Sequence, residues 1–153
     1  MKQMIQRMRE EKGGFTLAEL LVVVAIVAVL VAIAIPVFTS SLDKANAQTD
    51  AANIRAGYGS ASVLVLDSLP TTETTYTLCT DGSVYTGTIP TGKSNYSTVG
   101  SSNHLDNANE SIGGVAASDI NWARTATITY VYTPSATAGQ DGTWDINASA
   151  ENS

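Results

Sequence analysis

The chain has 153 residues, room for one modest domain and an accessory element. Its formal net charge is −6 and only 14% of its residues are charged, which argues against a nucleic-acid partner, because no basic cluster is available to neutralise a row of phosphates. The single cysteine, Cys79, rules out a disulfide within the chain, so the fold must rest on packing, with Cys79 expected as a buried thiol in a strand.

The first 14 residues carry Lys2, Arg7, Arg9 and Lys12 against Glu10 and Glu11. From Phe15 onward only four cations, Lys44, Arg55, Lys93 and Arg124, face twelve acids. A basic start followed by an acidic bulk predicts, by the positive-inside bias, a cytoplasmic N-terminus with the rest outside.

Between these two regions lies an apolar run. Residues 20–38 hold no charge, and only Pro36 disturbs a helical pattern. Counted from Phe15, the segment 15–38 spans roughly 36 Å as a helix, enough to cross the hydrocarbon of a bilayer. It is longer than the apolar part of a secretory signal and has no clean small-residue cleavage site before polar sequence. Ala25, Ala28, Ala32 and Ala34 thin the helix on several sides, which favours close approach of helices in lipid.

Glu19 breaks this pattern. A carboxylate in hydrocarbon costs several kcal/mol unless it is protonated or paired. No Lys, Arg or His lies between Phe15 and Phe38. A cation at that depth could be an α-amine, created by cutting the chain just before Phe15. The helix N-terminus itself also favours an acid in its first turn.

Gly14-Phe15-Thr16-Leu17-Ala18-Glu19-Leu20, following a short basic leader, resembles the class III signal of type IV pilins and pseudopilins. The likeness covers residues 12–36 and includes Pro36 at the place of a family proline. It implies that a prepilin peptidase cuts after Gly14 and methylates the new amine of Phe15. The doubled glycine, Gly13-Gly14, is resolved by the spacing from Phe15 to Glu19. The likeness further implies that Glu19, with Thr16 and Pro36, serves assembly: the acid pairs with the terminal amine of a neighbouring subunit, and the helix loosens at Pro36 on packing.

Helical periodicity continues past the span. Ala47, Ala51, Ile54, Tyr58, Ala61 and Val65 fall on one face, widened by Leu66 and Leu69. Asp43, Gln48, Asp50, Asn53 and Ser60 are expected opposite it. Gly57 and Gly59 weaken the pattern, and Pro70 stops it. Strands follow at 74–80 and 83–89 around the turn pair Asp81-Gly82, then at 125–133 and 142–147. Trp122 and Trp144 are expected as core anchors at the ends of the sheet. Residues 93–119 read as a long polar loop, with a short helix near 111–119.

The expected fold is therefore α+β: a long N-terminal helix, half membrane-spanning and half amphipathic, packed on a small antiparallel sheet. The divisions are a leader (1–14), a transmembrane and filament-core half (15–38), an amphipathic half (39–69) and a β-rich extracellular region (70–153). No phosphate loop or catalytic triad appears, so no enzyme activity and no cofactor is expected. His104, with Asp106 and Glu110, is a weak metal candidate, and Asp106, Asn107, Asn109 and Glu110 a weak calcium loop. Asn95-Tyr96-Ser97 and Asn147-Ala148-Ser149 match a glycosylation triplet.

The function the resemblance implies is a structural subunit of an extracellular type IV pilus. Its partners would be identical subunits, the prepilin peptidase, an assembly platform and, before assembly, the lipid bilayer. The alternative is a minor pilin or pseudopilin of a type II secretion or DNA-uptake machine. A third possibility is a membrane-anchored extracellular binding module.

Overall fold

The structure is a computed structural model and describes residues 15–104, 111–116 and 119–150. The chain divides into two compact units, Met1–Ser40 and Ser41–Ser153. One helix, α1 (Leu17–Ser68), contributes to both.

In the first unit the apolar side chains of α1 are exposed on every side, from Leu17 through Phe38. None of its most apolar stretch is buried, and the helix is long and apolar enough to cross a membrane. The helical assignment runs through Pro36. Pro36 has no N–H, so the carbonyl of Ala32 loses its helical donor there. Three residues on, the Thr39 hydroxyl donates to the Ile35 carbonyl at 2.9 Å, so this polar group is satisfied within the helix itself.

In the second unit α1 buries Ala47, Asp50, Ala51, Ile54, Gly57, Ala61 and Val65. Four antiparallel strands receive this face: β1 (Thr74–Leu78), β2 (Val84–Thr86), β5 (Ala126–Thr133) and β6 (Thr143–Ala150), in the order β2-β1-β5-β6. Tyr76 faces Thr86 on one side and Tyr130 on the other, and Tyr130 in turn faces Ile146. Alternation sends Ala126, Ile128 and Tyr130 inward, where they join Ile54, Leu78, Ile112, Ile120 and Trp122 in one core. β6 runs three residues beyond the expected strand, through Ala150.

Gly57 now has a reason. A Cβ there would lie 2.3 Å from the Tyr130 hydroxyl and 2.7 Å from Leu78 Cδ1. The missing side chain lets the Tyr130 phenol reach across and donate to the Ile54 carbonyl at 2.7 Å. Burial drives this phenol well above the usual tyrosine range.

Several expectations are corrected. Asp50, expected on the polar face, is fully buried. It sits at the edge of the apolar stripe, where the segment around Tyr96–Gly100 lies over it and supplies donors. The carboxylate accepts from the Tyr96 hydroxyl at 2.6 Å, the Val99 amide at 3.1 Å and the Gly100 amide at 2.7 Å. Gly100 is needed for this approach, since a Cβ would meet the Ala47 backbone nitrogen at 2.4 Å. Leu66 and Leu69, expected on the core face, are exposed. Leu69 takes φ 45°, a left-handed close to the helix just before Pro70.

Where a helix is expected near 111–119, the described residues 111–116 instead form a two-stranded ribbon, β3 (Ser111–Ile112) with β4 (Val115–Ala116), and residues 117–118 lie outside the described residues. Its two-residue turn is Gly113-Gly114, with φ of 61° and 85°, the pair of positive values that a tight hairpin requires. The first hairpin forms as expected, but β2 stops at Thr86, short of Ile89, and Gly87 follows at φ 70°. In its loop Asp81 accepts from Ser83 and pairs with Lys93, and these contacts, Lys93 first, hold its carboxyl well below the usual range. Cys79 is buried, and desolvation pushes its thiol up. Trp122 is buried in the core, whereas Trp144 is half-buried against Tyr58, Tyr76 and Tyr132.

Two neighbouring glycines should respond oppositely to the same change. Gly57→Ala should destabilise the chain by about 1–3 kcal/mol through overpacking. Gly59→Ala, with nothing within 4 Å of its Cβ, should stabilise by up to about 1 kcal/mol. Urea unfolding of the micelle-solubilised chain measures both, and equal signs would contradict the packing described. The Tyr96 phenol is pushed up to about 12, first by burial and then by its bond to Asp50. The folded chain holds that proton more tightly than the unfolded one, so this contribution is complete below pH 10.0 and is lost as pH rises through about 12. Stability should therefore fall less steeply across that window in Tyr96→Phe; parallel curves would count against the link.

Candidate functional site

Residues 15–19 form the candidate site. Phe15 is exposed at the start of the described chain, and Gly14 and the leader lie outside the described residues. Leu17 is the first helical residue, which makes Thr16 the N-cap and Glu19 the third helical position. The Glu19 amide donates to Thr16 Oγ1 at 3.2 Å. In return, Glu19 Oε2 accepts from the Thr16 amide at 2.7 Å and from the Thr16 hydroxyl at 2.9 Å. This is a capping box, in which cap and acid satisfy each other's backbone donors.

The box changes the electrostatic problem set by Glu19. Helix N-termini leave four amides without partners and carry a partial positive charge. The acid meets the partial charge and, with Thr16, satisfies two of these amides from within its own chain. Both donors reach a single oxygen, and among the described residues Oε1 takes none. The same carboxylate can therefore accept a further donor without giving up the cap. Phe15 and Leu20 occupy the positions flanking such a box that commonly hold an apolar pair, and both line an open groove with Ala18, Val22 and Val23.

Glu19 and Thr16, expected separately as assembly residues, are joined by a reciprocal contact not among the expectations. The signal was present: Thr16-x-x-Glu19 ahead of an apolar run is the box's own pattern. Pro36 lies 17 positions beyond Glu19 in the same unit, exposed among apolar neighbours and not in contact with the box. The backbone of His104 ends a short 3-10 turn (Ser102–His104), while Asp106, Asn107, Asn109 and Glu110 lie outside the described residues. Among the described residues no cluster of three metal-ligating side chains occurs. Of the two glycosylation triplets, Asn147 is exposed on β6, whereas the side-chain oxygen of Asn95 is buried.

Comparison with known proteins bears on the same residues. A family model described as the prokaryotic N-terminal methylation motif matches residues 11–35. The type IV narrow pilus major component PilA5 of Thermus thermophilus is 36% identical over 104 residues, covering 66% of this chain and 88% of that protein. No solved structure matches the chain.

Removing the cap should loosen the first turn. Thr16→Ala should cost about 1 kcal/mol locally and speed hydrogen exchange at the Glu19 amide roughly fivefold in micelles, while Thr16→Ser should keep the wild-type rate. Equal rates in all three chains would mean that the box does not hold in solution.

Proposed function

We propose, from the premise that this chain belongs to the type IV pilin family, that it is a structural subunit of an extracellular pilus filament. The observation that carries this reading is Glu19, an acid four residues past Phe15 within a helix otherwise free of charge as far as Phe38. The likeness to a pilus major component extends over 104 residues, well beyond the motif at 11–35, which favours a main filament subunit over a pseudopilin sharing only the signal.

In this reading the chain first waits in the bilayer, its N-terminus cytoplasmic, with residues 15–38 crossing the hydrocarbon. Prepilin peptidase removes residues 1–14 after Gly14, and the amine of Phe15 is methylated. A methylated amine remains a cation at neutral pH and still donates. Glu19 of one subunit then accepts that amine from a neighbour through the oxygen its own cap leaves open. The helices pass from lipid into a bundle of like helices, so apolar solvation changes little and the ion pair sets the axial register. At other staggers the acid keeps only its own cap. Pro36, which already removes one backbone hydrogen bond, is where the helix would yield during packing.

Glu19→Val should accumulate in the membrane at wild-type level while sheared filaments fall at least about tenfold, the scale expected for loss of a buried charge pair. Subunits from wild-type filaments should begin at Phe15 and carry one added methyl group by intact mass. Filaments beginning at Met1, or assembled normally by Glu19→Val, would refute the mechanism. A wild-type protein that stays cell-bound at low copy, processed but absent from sheared filaments, would favour the minor pilin or pseudopilin of a secretion or DNA-uptake machine.

A further inference from the structure

The second unit contains a cleft that filament assembly does not explain. It has a volume of about 380 Å³, within the range of small-ligand sites, and lies between α1, the β3–β4 turn and the start of β6. Its walls include three aromatic rings, Tyr58, Tyr132 and Trp144, with Ser62 and Asp141. Trp144 meets Tyr58 edge-on at 5.2 Å and Tyr132 at 5.0 Å, so the rings brace one another. Two glycines bring the walls together: a Cβ on Gly113 would lie 2.2 Å from the Tyr58 ring, and one on Gly142 would lie 2.5 Å from the Tyr132 ring. Asp141 is exposed and has no ion-pair partner among the described residues.

We propose that this cleft binds an alkylammonium group supplied from outside the chain. Aromatic faces attract cations through the ring quadrupole, and a carboxylate at the same site adds charge of the matching sign. The net charge of the second unit acts in the same direction, because from Ser41 onward eleven acids face four cations. Those four are engaged within the chain: Lys93 with Asp81, Arg124 with Asp43, and Lys44 and Arg55 with neighbours of their own. The guest is accordingly foreign, either a small amine or headgroup, or the lysine side chain of another protein. This inference goes beyond the filament role and does not depend on it.

The two tryptophans provide the test. In the full chain in maltoside micelles, the indole N–H resonance of Trp144 should shift saturably with choline or n-butylammonium, against sodium chloride at matched ionic strength. That of buried Trp122 should stay in place. Binding of choline points to a quaternary headgroup or small amine, and binding of n-butylammonium to a lysine side chain. Asp141→Asn, on an exposed residue, should fold normally and weaken binding about threefold to tenfold, as expected for a partly exposed charge. The proposal is overturned if neither cation shifts Trp144. It also fails if 3,3-dimethylbutan-1-ol, the neutral isostere of choline, binds equally well, or if Asp141→Asn leaves affinity unchanged.

Discussion

Glu19 accepts two bonds from Thr16, and that contact sets the terms on which the apolar half of α1 can exist. A charge-free helix has unpartnered amides at its start, and in hydrocarbon no water relieves them. The box satisfies two of them, the Thr16 amide through Glu19 and the Glu19 amide through Thr16 Oγ1, while bringing a carboxylate into the same medium. Each group makes the other tolerable. The box thus lets a single chain rest in a bilayer while one carboxylate oxygen remains available. Assembly in the proposed mechanism then adds a partner to a site that is already half satisfied, which keeps the unassembled chain from being strongly penalised.

A second carboxylate meets burial differently. Asp50 is fully buried, and its donors come from a segment nearly fifty positions later: the Tyr96 hydroxyl and the Val99 and Gly100 amides. Here the acid fastens a long connection to the helix, and with no disulfide in the unit such polar clasps take on part of the work of a staple. Removing the acid would leave two amides and the Tyr96 O–H without an acceptor under the segment, at about 1–3 kcal/mol for each buried donor, while the phenol oxygen would still accept from Asn53 Nδ2 at 2.8 Å. The Tyr130 bond to the Ile54 carbonyl does similar work between sheet and helix, and it requires the bare backbone of Gly57.

What was legible in the sequence follows period and composition. The apolar run, the stripe Ala47–Ala51–Ile54–Ala61–Val65 and the alternation of β5 all express one-dimensional rules, and all of them fold as read. The misreadings come from contacts between distant parts. Nothing local to Asp50 says that a later segment will cover it, so helical phase alone put it on the polar side. Leu66 and Leu69 fit the stripe, yet the helix ends where the sheet no longer covers them. The β3–β4 ribbon was signalled by Ile-Gly-Gly-Val, but two residues per strand are too short for periodicity to register. At the candidate site both the residues and the pattern of their mutual bond, Thr16-x-x-Glu19 ahead of an apolar run, are legible in the sequence.

Transfer from lipid into a bundle of like helices gains almost no hydrophobic free energy, since side chains such as Val, Ile and Leu are as well solvated by acyl chains as by one another. Specificity must then come from features that lipid cannot imitate. In residues 15–40 these are few: one carboxylate, small residues such as Ala25 and Ala28 that admit a close neighbour, and the missing backbone donor at Pro36. A long apolar helix with so few distinguishing marks would pack in many registers. In the proposed mechanism, a charge at the very start of the span, paired with a neighbour's N-terminal amine, removes that degeneracy with a single residue. Within residues 15–40 no other charge competes with Glu19 for that role.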